Sequence, residues 1–484
     1  MKKALLIMGM ALLFPRLLVA QAAGIDSLLG EDWYGLYMNG EKVGWSSSAV
    51  TKDDTGDYHV VQDARFQVNM AGAKQDMHIF TERVYGAEGP LESINQEIVD
   101  IASTSRFHAK VEGDQLVLAS EVAGTAGQKS FPKPDETLED ALKYSTWVQE
   151  KPNIGDEISY TVFEPMLGRE ITARSQIIDE EDRLFEGVTT HVYKIKTIID
   201  VMNVDTVTFV TERGTVLEDV VAGMLTMRLE PEKIAKDVSY SNDTIISNAA
   251  LIDEPIPNPR ERKDLQLILR GPINGDHLFN DERQYFRAED DHFIFESKQV
   301  SLDDLEPVTV PVDHPDFQEW LESTTFVQSD DPRLQQKAKE IVGDETNALK
   351  VSEKLCHWVH ENVESTYSAR LTNALEVLDS LEGDCTEHSI LFIGLARAAG
   401  LPAREVAGLV YVEGPKPGFY FHQWAKVWVG KWIEVDPTFD QPIADVSRIK
   451  LAEGDLFAQA KIIPLIGHVQ VALVKPGEAA EKTD

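Results

Sequence analysis

Cys385, His422 and Asp436 are the residues whose types and order best suit covalent chemistry. A thiolate attacks a carbonyl, an imidazole carries the proton that a leaving amine needs, and a carboxylate orients the ring and stabilises its charged form. Cys385 stands in the string Gly383-Asp384-Cys385-Thr386-Glu387-His388, followed by an apolar run from Ser389 to Ala399 and then Gly400-Leu401-Pro402. Asp384 is a good N-cap, Glu387 occupies the capping-box position, and Gly400 with Pro402 supplies a stop. Cys385 therefore opens a helix. Because that helix is apolar on most faces, it is expected in a domain centre. Its first turn carries unpaired N–H groups and the positive end of the helix dipole, which favour a thiolate and can hold an oxyanion.

His422 and Asp436 fall on two strand-like runs, Phe419 to Val429 and Lys431 to Val435 with Asp436 just after it. Parity decides whether they can meet. A two-residue Gly430-Lys431 loop would set Ala425 opposite Asp436 and put His422 on the other sheet face. A three-residue loop, Val429-Gly430-Lys431, sets Trp428 opposite Trp432 and Trp424 opposite Asp436, which makes His422 a same-face diagonal neighbour of Asp436. The three-residue loop, or a bulge, is expected.

Several neighbours have a plainer use. His388, one turn into the helix, is expected to pack and to donate a hydrogen bond rather than act as the base. Arg404 reads as a structural clamp near a helix end, and Trp424, Trp428 and Trp432 as core and cross-strand pairs. Upstream, Leu334 to Val363 has helical periodicity and holds Cys356, His357 and His360. No third ligand stands at metal spacing there, so Cys356 reads as a small core residue and the histidines as surface or packing groups. No cofactor and no metal site is expected.

Taken together, the Gly383 to His388 string, Gly400-Leu401-Pro402-Ala403-Arg404, His422-Gln423-Trp424 and Val435-Asp436-Pro437-Thr438 resemble the transglutaminase-like superfamily, a papain-related group with Cys, His and Asp in that chain order. The likeness runs from about Leu334 to Leu451. It implies Cys385 as nucleophile, His422 as general acid/base and Asp436 as its orienter. Lys426 departs from the acidic residue that many members carry after the His-x-Trp step, without touching the triad. Tyr367, at the end of the preceding helical layer, is a weak candidate for a second oxyanion donor, since related folds often place an aromatic or amide group there. The N-terminal half does not resemble the extra β domains of calcium-dependent animal transglutaminases closely enough to carry their calcium dependence.

The elements that must position these residues occupy the second half of the chain. From Asp32 to Met227 short alternating runs are broken by turn residues, as in Tyr58 to Val68, His78 to Tyr85, Ile158 to Phe163, His191 to Ile199 and Thr206 to Thr211. Trp33 to Met38 and Glu41 to Val50 flank Asn39-Gly40 and read as a hairpin. The Asp53 to Asp57 run lacks the final Glu of a calcium loop and reads as a solvated turn. The expected fold is α+β: an antiparallel β-rich domain over 24–250, a linker and small β module over 251–312, a papain-like transglutaminase core of helical layer plus antiparallel sheet over 313–475, and a disordered tail at 476–484. Residues 1–23 have the basic, apolar and small-residue order of a cleavable signal peptide, so a periplasmic or secreted protein is expected.

The chain has 484 residues, is 43% hydrophobic and carries a formal charge of −36. That field repels phosphate backbones, so nucleic-acid binding is disfavoured, and no later run is long enough to insert into a membrane. The expected partner is a protein or peptide substrate; the sequence is silent on oligomeric state. Two alternatives stand beside the enzyme: a non-catalytic peptide-binding or assembly protein retaining the fold, and a structural Cys356–Cys385 disulfide.

Overall fold

The computed structural model describes residues 29–474 apart from 39, 71–72, 101–103, 123, 186, 200–203, 239–248, 367–371, 415 and 455–457. The expected leader, Asn39, Tyr367 and the expected tail lie outside the described residues. The chain divides into two compact units, with the division after Asp243.

The first unit is built on one antiparallel sheet of 14 strands. Consecutive strands are neighbours from Thr125–Pro132 back to Gly30–Met38, which pairs with the last strand, Leu225–Leu229; neighbours then run back to Glu157–Glu164. Side chains alternate along these strands as a half-buried sheet requires: Thr104–Glu112 turns Ser105, Phe107 and Ala109 inward and Arg106, His108 and Lys110 outward. Met38 faces Glu41 across the first hairpin, and Gly40 has the positive φ (83°) that a two-residue loop demands. Within this unit Arg83 is buried against Glu136, whose carboxylate also accepts the Tyr85 hydroxyl and the Phe163 N–H.

Among the described residues the second unit holds two larger sheets, a short parallel pair of Glu364–Ser365 with Glu382–Gly383, and the longer helices. In one sheet the order is Ala250–Leu251, Gly418–Trp428, Ala403–Val412, Arg448–Glu453, and Trp432–Val435 also pairs with Gly418–Trp428. In the other, Gln284–Ala288, Phe293–Lys298 and Asp264–Arg270 are joined by Gln470–Leu473 from near the C-terminus. The strands of the expected 251–312 module share their sheet with Gln470–Leu473, which pairs with Asp264–Arg270.

The expected helical stretch from Leu334 to Val363 is two helices, Pro332–Val342 and Ala348–Asn362. Gly343, at φ 65°, stops the first, and the Asn347 side chain caps the second by accepting from the Lys350 N–H. Their buried faces form one core with Ala374–Ser380, with the helix Cys385–Ala398 and with Ala425, Val427, Ile433 and Val435 of the first sheet. No helix among the described residues is long and apolar enough to cross a membrane.

Candidate active site

Cys385 is the first residue of the helix Cys385–Ala398. Asp384 caps it through the Thr386 N–H (2.9 Å), and Glu387 folds back to accept the Asp384 N–H (2.8 Å). Gly383 makes that return possible: a Cβ there would lie 2.1 Å from the Glu387 Cβ. At the other end the Gly400 and Leu401 N–H groups reach the Arg397 and Ala396 carbonyls, a Schellman stop. Between the caps Ile390, Leu391, Phe392, Ile393 and Leu395 are buried. At about 1.5–3 kcal/mol per large apolar side chain, that burial fixes the helix far more firmly than its caps do.

The histidine strand, Gly418–Trp428, pairs along its length with Ala403–Val412. On its other edge it meets Ala250–Leu251 at Gly418 and Phe419, and Trp432–Val435 from Ala425 to Trp428. The stretch between them is where the cysteine helix arrives, the Ser389 hydroxyl donating to the Gln423 carbonyl at 3.1 Å. Trp428 faces Trp432, so the connecting loop is the three-residue one, with Gly430 at φ 114°. This register carries His422 and Asp436 to the same face.

Asp436 is fully buried and its Oδ2 accepts from His422 Nε2 at 2.8 Å. With Nε2 so engaged, Nδ1 is the ring nitrogen left for Cys385, which is near enough to the imidazole to raise its pKa. Burial works against the imidazolium, but Asp436 and then Cys385 more than offset it and raise His422 to about 9. For Asp436 burial is again opposed, here by Arg448 and His422, which hold its carboxyl well below the usual range. The His422 ring lies parallel to Trp424, with centroids 5.9 Å apart and planes 18° apart, and Phe439 covers it at 5.3 Å.

The neighbours divide cleanly. His388 sits between the Asp384 carbonyl, 2.8 Å from Nδ1, and the Val363 carbonyl, 3.2 Å from Nε2; burial pushes its pKa down, and the neutral ring donates its single N–H to one of the two, anchoring the head of the helix. Arg404 pairs with Glu453 and lies over the Trp432 and Trp320 rings, a clamp. Trp428 and Trp432 meet edge to face, and the buried Trp424 donates its indole N–H to Glu434 at 2.9 Å. Cys356 is fully buried, and burial, followed by Asp436 and Asp440, pushes its thiol far up. Both cysteines are free, which sets aside the disulfide. His357 and His360 are exposed and reach the Asp440 carboxylate and the Thr438 carbonyl, in the turn that follows Asp436.

Two features escaped the sequence. Arg448, fully buried, sends Nε (2.8 Å) and Nη2 (2.5 Å) to the same Asp436 oxygen that serves His422. The available signal was the Arg-Ile-Lys-Leu alternation of Arg448–Glu453, which promises one polar sheet face. Further along that face, Asp281, Glu434 and Glu453 bring oxygens within 4.8 Å of one another. The Lys450 ammonium lies among them, 3.1 Å from Glu434 and 2.5 Å from Glu453, so the cluster already has its cation.

Comparison with known proteins finds a family match within the second unit. Residues 335–437 match the family described as the transglutaminase-like superfamily. A curated Haemophilus influenzae protein, described as an "uncharacterized protein", is 36% identical over 124 residues, 24% of this chain and 33% of the relative. The chain thus spans about a third of that relative's length. Among solved structures, one described as a "putative cysteine protease" from Cytophaga hutchinsonii covers 43% of this chain and is itself 83% covered, at 20% identity and a TM-score of 0.30. A β-barrel-like protein of a domain of unknown function from Brucella abortus covers 41% and is 94% covered, at 11% identity and a TM-score of 0.32. Scores this low add nothing to the site. By that family match, residues 335–437 are a transglutaminase-like superfamily core.

Proposed function

We propose that this protein is an exported thiol enzyme that acts on amide bonds of proteins or peptides through a thioester acyl-enzyme. The observation that supports it best is the buried His422–Asp436 bond of 2.8 Å, with Cys385 as the other neighbour of the imidazole. Cys385 attacks the carbonyl carbon as its thiolate, and the S–C bond forms while the carbonyl electrons move to oxygen. Within the first turn Asp384 holds the Thr386 and Glu387 N–H groups, which leaves the Cys385 N–H to face that oxyanion. Collapse of the adduct breaks the C–N bond, and the amine departs with the proton from His422. Neutral His422 then takes a proton from water or from a second amine, which attacks the thioester and frees Cys385. Asp436 keeps the ring oriented throughout.

Water gives hydrolysis and an amine gives transfer, and the first half-reaction is common to both. Export rests on the basic, apolar and small-residue order of residues 1–23. The test is incubation with a peptide library, with and without a primary amine, followed by mass spectrometry. Trimmed or deamidated peptides indicate hydrolysis and amine adducts indicate transfer. Products that persist with Cys385→Ala, or no product at all, would sink the proposal.

A further inference from the structure

We infer that Arg448 is a positioning residue for the catalytic pair, the middle of an alternating charge chain His422–Asp436–Arg448–Asp445–Arg260. The inference rests on the proposed function for its consequence, and on geometry for its existence. Arg448 places two donors on Asp436 Oδ2 and turns Nη1 to Asp445 Oδ1 at 2.9 Å. Asp445 Oδ2 in turn accepts from Arg260 Nη1 at 3.1 Å. Phe439 lies over this line, 5.5 Å from the Arg448 guanidinium and 4.8 Å from that of Arg260. Arg260 also donates to the Tyr411 carbonyl, so the stretch expected as linker and small β module anchors the far end of the charge chain.

Charges in such a line act on one another with alternating sign, most strongly among the buried His422, Asp436 and Arg448 and least at Arg260, which is about a third exposed. Arg448 draws on the Asp436 carboxylate and thereby weakens its hold on the His422 proton; Asp445 moderates Arg448; Arg260 moderates Asp445. The other titratable groups around the pair are Cys385 and His388 from the cysteine helix, Cys356 from Ala348–Asn362, Asp440 from the turn after Asp436, and Glu434 behind Trp424. None of them stands between Asp436 and Asp445, so the chain can be altered one link at a time.

The experiment follows the His422 imidazole by NMR in the full chain with labelled histidine, the resonance being identified by its loss in His422→Asn. Arg448→Gln raises the proton affinity of His422 about tenfold or more, Asp445→Asn lowers it, and Arg260→Gln raises it least. Arg448→Lys, which keeps the charge, returns it close to the wild-type value. Shifts of one sign in all three neutralising variants, or no shift in folded protein, would overturn the inference. If Arg448→Gln does not fold, the opposite signs of Asp445→Asn and Arg260→Gln decide. Iodoacetamide labelling at pH 6 is read in parallel: a wild-type Cys385 no faster than Cys356 defeats the enzyme proposal, while the imidazole shifts still judge the chain.

Discussion

In the first unit Arg83 is buried beside Glu136 and Glu164; in the second Arg448 is buried beside Asp436 and Asp445. The two clusters have the same ingredients, the second carboxylate lying 4.0 Å from Arg83 and 2.9 Å from Arg448, yet they end differently. Around Arg83 the remaining bonds run to groups that do not exchange protons near neutrality: the Tyr85 hydroxyl, the Gln96 amide, and the Phe163 carbonyl and N–H. Around Arg448 the same pattern is left open at one end, where Asp436 holds an imidazole whose pKa a neighbouring thiol, Cys385, also raises. Buried charge by itself specifies packing; a buried charge with a titratable, nucleophilic end is a candidate for chemistry.

The largest effect expected from breaking this contrast is at the thiol. Cys385→Ala should remove amide turnover altogether and leave the urea midpoint nearly unchanged, since Cys385 is half-buried at a helix head. Next comes a matched pair. Asp436→Asn should lower turnover by about 10³–10⁴-fold, because an amide cannot stabilise the imidazolium. Glu136→Gln, the corresponding change in the first unit, should cost about 3–5 kcal/mol in urea unfolding by stranding Arg83, with the alkylation rate of Cys385 unchanged. A fall in that rate with Glu136→Gln would mean that the two clusters are coupled and the contrast is false.

A subtler distinction lies in pH. The folded pKa of His422, about 9, is raised above the roughly 6.5 of an unfolded histidine. Its contribution to stability is therefore complete below about pH 6.5 and lost as pH rises through about 9, on the order of 3 kcal/mol across the window. Urea midpoints at pH 6.5 and 9.5 should differ accordingly. His422→Asn should flatten the difference, and Cys385→Ala, which removes one of the partners holding the proton, should move the fall to lower pH. Stability that does not decline in wild type between these pH values would show that His422 is not held protonated.

Much of the candidate site was legible because its signals are local. The Asp384 and Glu387 caps, the Gly400 stop and the apolar faces between them read directly as a helix, and strand parity alone separated the two loops at Gly430. What was illegible depends on partners far along the chain. Arg448 and Arg260 look like any surface arginines until the sheet registers bring them to Asp436 and Asp445, and nothing local says that Asp264–Arg270 pairs with Gln470–Leu473. In the first unit Thr125–Pro132 has no apolar alternation and is a strand only because Gln115–Val122 pairs with it. Gly343, by contrast, was a visible break inside Leu334 to Val363 that periodicity overrode.

The smallest effect sharpens the contrast within the second unit itself. Cys356 and Cys385 are both free thiols, but Cys356 is fully buried, and burial together with Asp436 and Asp440 keeps it protonated. Cys356→Ala removes one sulfur from a packed core and should cost about 1 kcal/mol, with Cys385 alkylated at the wild-type rate to within about twofold. The comparison is informative because Cys356 is close enough to sense the charge of Asp436 without taking part in its hydrogen bonds to His422 and Arg448. A slower Cys385 in this variant would place Cys356 among the groups that shape Asp436, and packing beneath the carboxylate would then join charge as a determinant of the site.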